Sequence, residues 1–156
     1  MKRLSIVHTE SSPGWGEQEK RVLAAARGLV ARGHEVRLIC PSEARIGAEA
    51  VEARVPVKAL PIGKLRPIGV KVLVEWLRAN PCDVVHTHSS TDCWLAAFAL
   101  LALGRRIAMV RTQHGAAPAR NPATRWLYKR AVARVIAASE HGDMANLERV
   151  YSQVRR

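Results

Sequence analysis

Aromatic residues are scarce in this 156-residue chain: four Trp, two Tyr and one Phe make up 4% of it. Single-stranded nucleic acid is bound on successive aromatic platforms, and this composition argues against that class of ligand. Cysteine is scarce too. Cys40, Cys82 and Cys93 are three in number with no C-x-x-C spacing, which argues against a disulfide framework or a zinc ribbon and fits a reducing cytoplasm. Long apolar runs are missing: the longest, Trp94 to Leu103, is about half the length of a membrane-spanning helix. Near the start only Leu4 to Val7 is apolar, broken by Ser5, too short for a signal-peptide core. Acidic residues are the last shortage. Thirteen Asp and Glu stand against 25 Lys and Arg, a net charge of +12, so the partners expected are anionic: nucleic acid, phosphorylated small molecules or acidic lipid headgroups. Charge does not choose among them, and a solvated basic face accounts for it equally well.

What is present alternates between two periods. Leu4 to His8 reads as a short buried strand, and Pro13 to Gly16 as the turn after it. A helix is expected over Glu17 to Arg32, because Val22, Ala26, Leu29 and Val30 share one face, Glu17 and Glu19 sit in the first turn, and Gly33 closes it. Further strands are expected over Glu35 to Cys40, Val55 to Leu60 (interrupted by Pro56), Val84 to His88, Ile107 to Thr112 and Val135 to Ala138. Further helices are expected over Val70 to Ala79, from a cap at Thr91 or Asp92 to about Leu103, over Thr124 to Ala133, and over His141 to Val154; the stretch from Pro41 to Arg54 reads as a loop or weak helix. Such alternation with short connections implies an α/β, doubly wound, Rossmann-like parallel sheet of about six strands with helices on both faces. With 48% hydrophobic residues, residues 1–156 form a single domain able to bury a core.

In an open parallel sheet the ligand crevice lies outside the carboxyl ends of the strands. His8, His86, His88, Arg111 to His114, and Ser139 with Glu140 all fall at that edge. The turn Gly14, Trp15, Gly16 precedes a helix N-terminus, where backbone amides meet a phosphate with no Cβ in the way. The dinucleotide fingerprint is not completed, since Glu19 stands at the third glycine's place, so a nicotinamide enzyme is not expected. His86 and His88 share one strand face and, with Asp92 or Cys93, have the makings of a metal site. The run Ser89, Ser90, Thr91 and Asp92 is better suited to sugar hydroxyls or phosphate, and no metal site is expected. No nucleophile-elbow spacing is found. His114, followed by Gly115, reaches into the crevice or is a buried structural histidine.

Four blocks, GWGEQE (Gly14 to Glu19), RGHEV (Arg32 to Val36), DVVHTHSSTDCWLAA (Asp83 to Ala97) and VRTQHG (Val110 to Gly115), together resemble the amino-terminal domain of a family 4 glycosyltransferase of the GT-B fold, nearest to bacterial enzymes that build lipopolysaccharide or other surface glycans. The resemblance implies one half of a two-domain enzyme, the acceptor-side domain, with the carboxy-terminal donor-binding domain absent. It implies that Gly14 and Gly16 lie against the donor diphosphate, that His114 contacts the transferred sugar, and that His88, Ser89, Ser90, Thr91, Asp92 and Arg111 line the acceptor or sugar side. One departure from the family's turn is Glu17, which stands where a second glycine is usual and sets a carboxylate beside the expected diphosphate.

The implied activity is retaining, metal-independent transfer of a sugar from a nucleotide-sugar to a glycan or glycolipid, in cell-envelope polysaccharide synthesis. No cofactor is expected beyond the nucleotide-sugar substrate. The expected location is the cytoplasm, with peripheral contact to an anionic membrane surface at its inner face. A separate donor domain is an expected partner; nucleic acid is not, for lack of a recognition motif beside the charge. The alternative reading is a non-catalytic carbohydrate- or phosphate-binding module that acts with a partner chain.

Overall fold

Ile6 and Val7, Leu38 and Ile39, Val84 and Val85, and Met109 and Val110 are apolar neighbours in sequence, and neighbours in a strand point to opposite faces. Only a sheet covered on both sides buries both members of each pair. The computed structural model, which describes residues 2–115, 120–140 and 142–154, buries all eight. Strands β1 (Ser5–Thr9), β2 (Glu35–Cys40), β3 (Val57–Ala59), β4 (Val84–Thr87), β5 (Ala108–Gln113) and β6 (Arg134–Ala137) form one sheet in the order β3-β2-β1-β4-β5-β6. Every pairing is parallel.

Helices α1 (Glu17–Ala31), α2 (Arg45–Glu52) and α6 (Met144–Val154) cover the face of Ile6, Leu38, Val84 and Val110. Helices α3 (Pro67–Ala79), α4 (Ser90–Leu103) and α5 (Pro122–Trp126) lie on the side of Val7, Ile39, Val85 and Met109, where α3, α4 and the turn after α5 complete the core. The expected doubly wound α/β architecture is thus the one observed. The chain reverses its winding between β1 and β4, which opens the crevice at their carboxyl ends.

Several boundaries differ from the sequence reading, each for a local reason. The stretch read as loop or weak helix holds α2, because Ile46 and Ala50, one turn apart, are both fully buried. β3 begins at Val57, not Val55: Pro56 has no N–H for a ladder, and only its carbonyl takes part, accepting from the Leu38 N–H at 2.8 Å. The N-cap of α4 is Ser89, with Asp92 inside the first turn. α5 stops at Trp126 and continues as a single π-helical turn, Leu127–Ala131. α6 begins at Met144; the expected start, His141, lies outside the described residues.

His34 is tied into this framework. The Leu4 N–H donates to its Nδ1 at 3.2 Å, so the proton sits on Nε2 and is donated to Glu148 Oε1 at 2.7 Å. Arg32 closes on the other Glu148 oxygen at 2.9 Å. The hydrogen bond from Arg32, then that from His34, holds the Glu148 carboxyl below its usual range, which clamps α6 to the turn between α1 and β2. Among the described residues no helix is long and apolar enough to cross a membrane.

Candidate functional site

The parallel register sets His8 beside His86 and Thr9 beside Thr87 on β1 and β4. Alternation then sends His8, His86 and His88 to the face covered by α1 and α6, and Thr9 and Thr87 to the other. His88 stacks on His86 with ring centroids 4.4 Å apart and lies parallel to His8 at 5.2 Å. His86 has a partner at each nitrogen, the Tyr151 hydroxyl on Nδ1 and Thr112 Oγ1 on Nε2, both at 2.7 Å. Ring nitrogens of the three histidines come within 4.8 Å of one another. Neither residue named from the sequence as a third ligand joins them: Cys93 is buried in the opposite core layer, and Asp92 accepts other hydrogen bonds. His8 takes that place, and ring stacking and hydrogen bonds hold the group together.

A file of contacts leads out of the stack. His8 Nδ1 lies 2.9 Å from His88 Nε2, and His88 Nδ1 lies 3.3 Å from His114 Nε2. A neutral imidazole has one N–H, so two such hydrogen bonds in series require all three rings to share one tautomer. His114 is half-buried, and burial, followed by the nearby Arg21 and Arg111 cations, pushes it down to about 4. It is therefore neutral at pH 7, a hydrogen-bonding group and not a fixed charge.

Asp92 is fully buried and joins three elements. Its carboxylate accepts from Thr9 Oγ1 on β1 at 2.5 Å, from the His88 N–H at 3.0 Å, and from the Ser89 N–H at 2.8 Å and Oγ at 2.5 Å. Its bond to the Ser89 N–H is the return half of a capping box at the α4 N-terminus. Burial raises the Asp92 carboxyl, and hydrogen bonds from Ser89 and Thr9 oppose the rise. Ser89 also bonds Ser11, and its carbonyl accepts from Arg111 Nη1 at 2.6 Å. Arg111 is buried, with its guanidinium 5.8 Å from the Tyr128 ring. Ser90 is exposed and Thr91 half-buried on the first turn of α4. His88, Ser89, Asp92, Arg111 and His114 are thus brought together, whereas Ser90 and Thr91 lie on the rim.

Across the crevice, Gly14 and Gly16 are exposed. The Gly14 N–H donates to Ser12 Oγ at 3.1 Å and the Gly16 N–H to Glu19 Oε2 at 2.7 Å. The Glu19 carboxylate thus supplies the return half of a capping box, the half that a glycine N-cap allows. Burial works to raise the Glu19 carboxyl, but hydrogen bonds from Ser12 and from the Gly16 and Glu19 N–H groups hold it below its usual range. Glu17 is exposed and sits 3.6 Å from Lys20.

Glu10, one residue past β1, is absent from the sequence reading and is fully buried. It accepts the Ser12 N–H at 2.9 Å and Gln18 Nε2–H at 2.6 Å, which fastens the glycine turn to α1. Its place just after a strand end was the available signal. Burial, then the Asp92 carboxylate, pushes Glu10 up from 4.5 to about 7. A carboxyl raised in the folded state stabilises the fold fully below its unfolded value, and that contribution is lost as pH rises through about 7. In urea unfolding, Glu10→Gln is therefore expected to gain about 2 kcal/mol on the unaltered chain between pH 5 and pH 8. A difference independent of pH would mean that Glu10 titrates normally.

Next to this edge is a cleft of about 480 Å³ lined by Ser11, Ser42, Glu43, Lys64 and Arg66 among others. Its walls are the segments that follow β1, β2 and β3.

The fold resembles solved glycosyltransferases. A glycosyltransferase from Rickettsia africae superposes with a TM-score of 0.71 at 17% identity over 88% of this chain. Anabaena Alr3699/HepE, solved with UDP and glucose, does so at 0.66 with 18% identity over 94%, and Acinetobacter baumannii MurG at 0.62 with 14% over 87%. The chain spans 37% of the first of these chains and 41% of the other two. No curated protein matches it in sequence. These likenesses establish half of a GT-B fold, and the family model matches residues 18–143, through the glycine-turn helix, the histidine strand and the His114 segment, so the chain belongs to Glycosyltransferase Family 4.

Proposed function

We propose that this chain is the acceptor-side domain of a retaining, metal-independent glycosyltransferase. It moves a sugar from a nucleotide-sugar to a glycan or glycolipid in cell-envelope polysaccharide synthesis, together with a donor-binding domain outside these residues. The observation that carries the reading is the convergence, at the β1/β4 switch point, of the glycine turn, the α1 N-terminus and the neutral His114, with a polar cleft on the Pro13 side of the glycine turn. Neither glycine is demanded by the turn: a Cβ at Gly14 or Gly16 would be 3.4 Å from its nearest neighbour, an ordinary contact. Their bareness is better explained by a diphosphate approaching from outside, which is in keeping with the UDP in the Anabaena structure.

In this reading His114 hydrogen-bonds the transferred sugar, and the helix end stabilises the departing diphosphate. Ser89, Ser90 and Thr91 face the acceptor, while His88, Asp92 and Arg111, buried and hydrogen-bonded, fix them in place. No cofactor takes part. Titration with UDP-glucose is expected to show binding no tighter than about millimolar for this chain, because most donor contacts belong to the second domain. Transfer is expected only when that domain is joined. Micromolar binding or transfer by this chain alone would overturn the two-domain reading.

The location proposed is cytoplasmic, against an anionic membrane. Lys64, Arg66 and Lys71 gather at the start of α3, and Arg125, Lys129 and Arg130 line a depression with the exposed Trp126. Arg120 and Arg134 flank that second group in sequence. Each adds about 1 kcal/mol near an acidic leaflet, screened over about 8 Å at physiological salt. Vesicle binding should rise with acidic lipid and fall with salt; equal binding to neutral vesicles rejects the mechanism.

A further inference from the structure

The α4 sequence from Cys93 to Leu103, CWLAAFALLAL, has no polar face. A helix apolar all round is normally buried all round. Here Leu95, Ala96 and Ala99 face the core, yet Phe98 and Leu101 stand 40% and 60% exposed. Between α3 and α4 runs an apolar groove of about 640 Å³, floored by Val70, Val74, Phe98 and Ala102. Its rim carries Arg66, Lys71 and Arg78, and its one acid, Glu75, faces Lys71 at 3.9 Å.

The groove and the polar cleft are not separate features. Arg66 lines both; Leu65 belongs to the groove, while Lys64 and Ile68 belong to the cleft. A single stretch, residues 64–68, is therefore their common wall. Gly69 locks that wall in place, because a Cβ there would come within 3.1 Å of the Pro61 carbonyl and 3.2 Å of Leu95. The bare backbone lets the first turn of α3 press closely against both the cleft's loop and α4.

Resting on the acceptor-side reading above, we infer that the acceptor is an anionic amphiphile whose polar head occupies the cleft and whose hydrocarbon chain lies in the α3–α4 groove, with Arg66 at the junction. Each compartment falls within the range of about 300–1,000 Å³ usual for small-molecule sites. The chain covers Phe98, the exposed apolar side chain that α4 turns into the groove, and the basic rim meets the negative charge where head and chain join.

The test uses dihexanoylphosphatidylglycerol below its micellar concentration, its head alone as glycerol 3-phosphate, and zwitterionic dihexanoylphosphatidylcholine. Binding to the 156-residue chain is followed by calorimetry and amide chemical shifts. The anionic amphiphile should bind at least about tenfold more tightly than its head, by burial of the chain. It should shift amides on both sides of the 64–68 wall. The double variant Leu65→Ser, Phe98→Ser alters two solvent-exposed side chains, so the fold should hold. It should reduce the amphiphile's affinity to that of the head, whose own affinity should not change. Equal binding of amphiphile and head, equal binding of the zwitterionic lipid, shifts confined to the groove, or a self-association that the double variant abolishes would each overturn the inference. None of these readouts uses a sugar donor. Glycosyl transfer to a free glycan by the two-domain enzyme would therefore survive such a failure and be judged separately.

Discussion

Turnover by the enzyme that unites this chain with a donor-binding domain is expected to fall by about two orders of magnitude on His114→Ala, the scale of losing one preorganised contact to the reacting sugar. Stability should hardly move. His114 is half-buried, and its contact with His88 is a long hydrogen bond at 3.3 Å, worth about 1 kcal/mol or less. Because its titration is pushed down to about 4, the pH profile of the unaltered enzyme between pH 6 and 8 should carry no ionisation from this ring. Turnover and melting temperature of the variant, measured together, decide the matter. Undiminished turnover removes His114 from the reaction, and a large loss of melting temperature assigns it to the fold.

Asp92→Ala should have the opposite signature. The substitution takes this acceptor from the Thr9 hydroxyl and the His88 N–H in a buried setting, and from the N–H of the half-buried Ser89, whose hydroxyl keeps Ser11. Each stranded donor costs about 1–3 kcal/mol. Relief of a carboxyl that burial holds above its usual range offsets part of this, and a net loss of about 3 kcal/mol is expected, a large share of a domain's total stability. Asp92→Asn, which keeps the shape and one acceptor, should lose less. Urea unfolding of both variants checks the order. A loss below about 1 kcal/mol for alanine, accompanied by loss of acceptor binding, would make Asp92 a direct ligand contact and not the brace between β1, β4 and α4.

The site was only partly legible in advance, and the failures share a cause. The sequence singles out His114, Ser89 and the two glycines because each stands at a strand end or helix start, a position read from local pattern. Glu10 was passed over because an acidic residue after a strand looks like a surface loop until Gln18, from α1, folds back onto it. The sequence marks Asp92 as a helix cap and as part of a run suited to sugar hydroxyls or phosphate. Its true neighbours include Thr9, 83 positions away, which no spacing rule reaches.

What the sequence determined by itself is the α/β layering. Paired apolar residues in β1, β2, β4 and β5 require cover on both faces, and the apolar periodicity of α1 supplies part of it. Both signals repeat within one or two turns of chain and need no distant contact. Only the tertiary structure decided which side chains meet. The order β3-β2-β1-β4-β5-β6 sets His8 against His86 and leaves α3 and α4 with an apolar groove that opens beside the cleft. Strand order and register depend on contacts between segments far apart in sequence, where hydrophobic periodicity is silent.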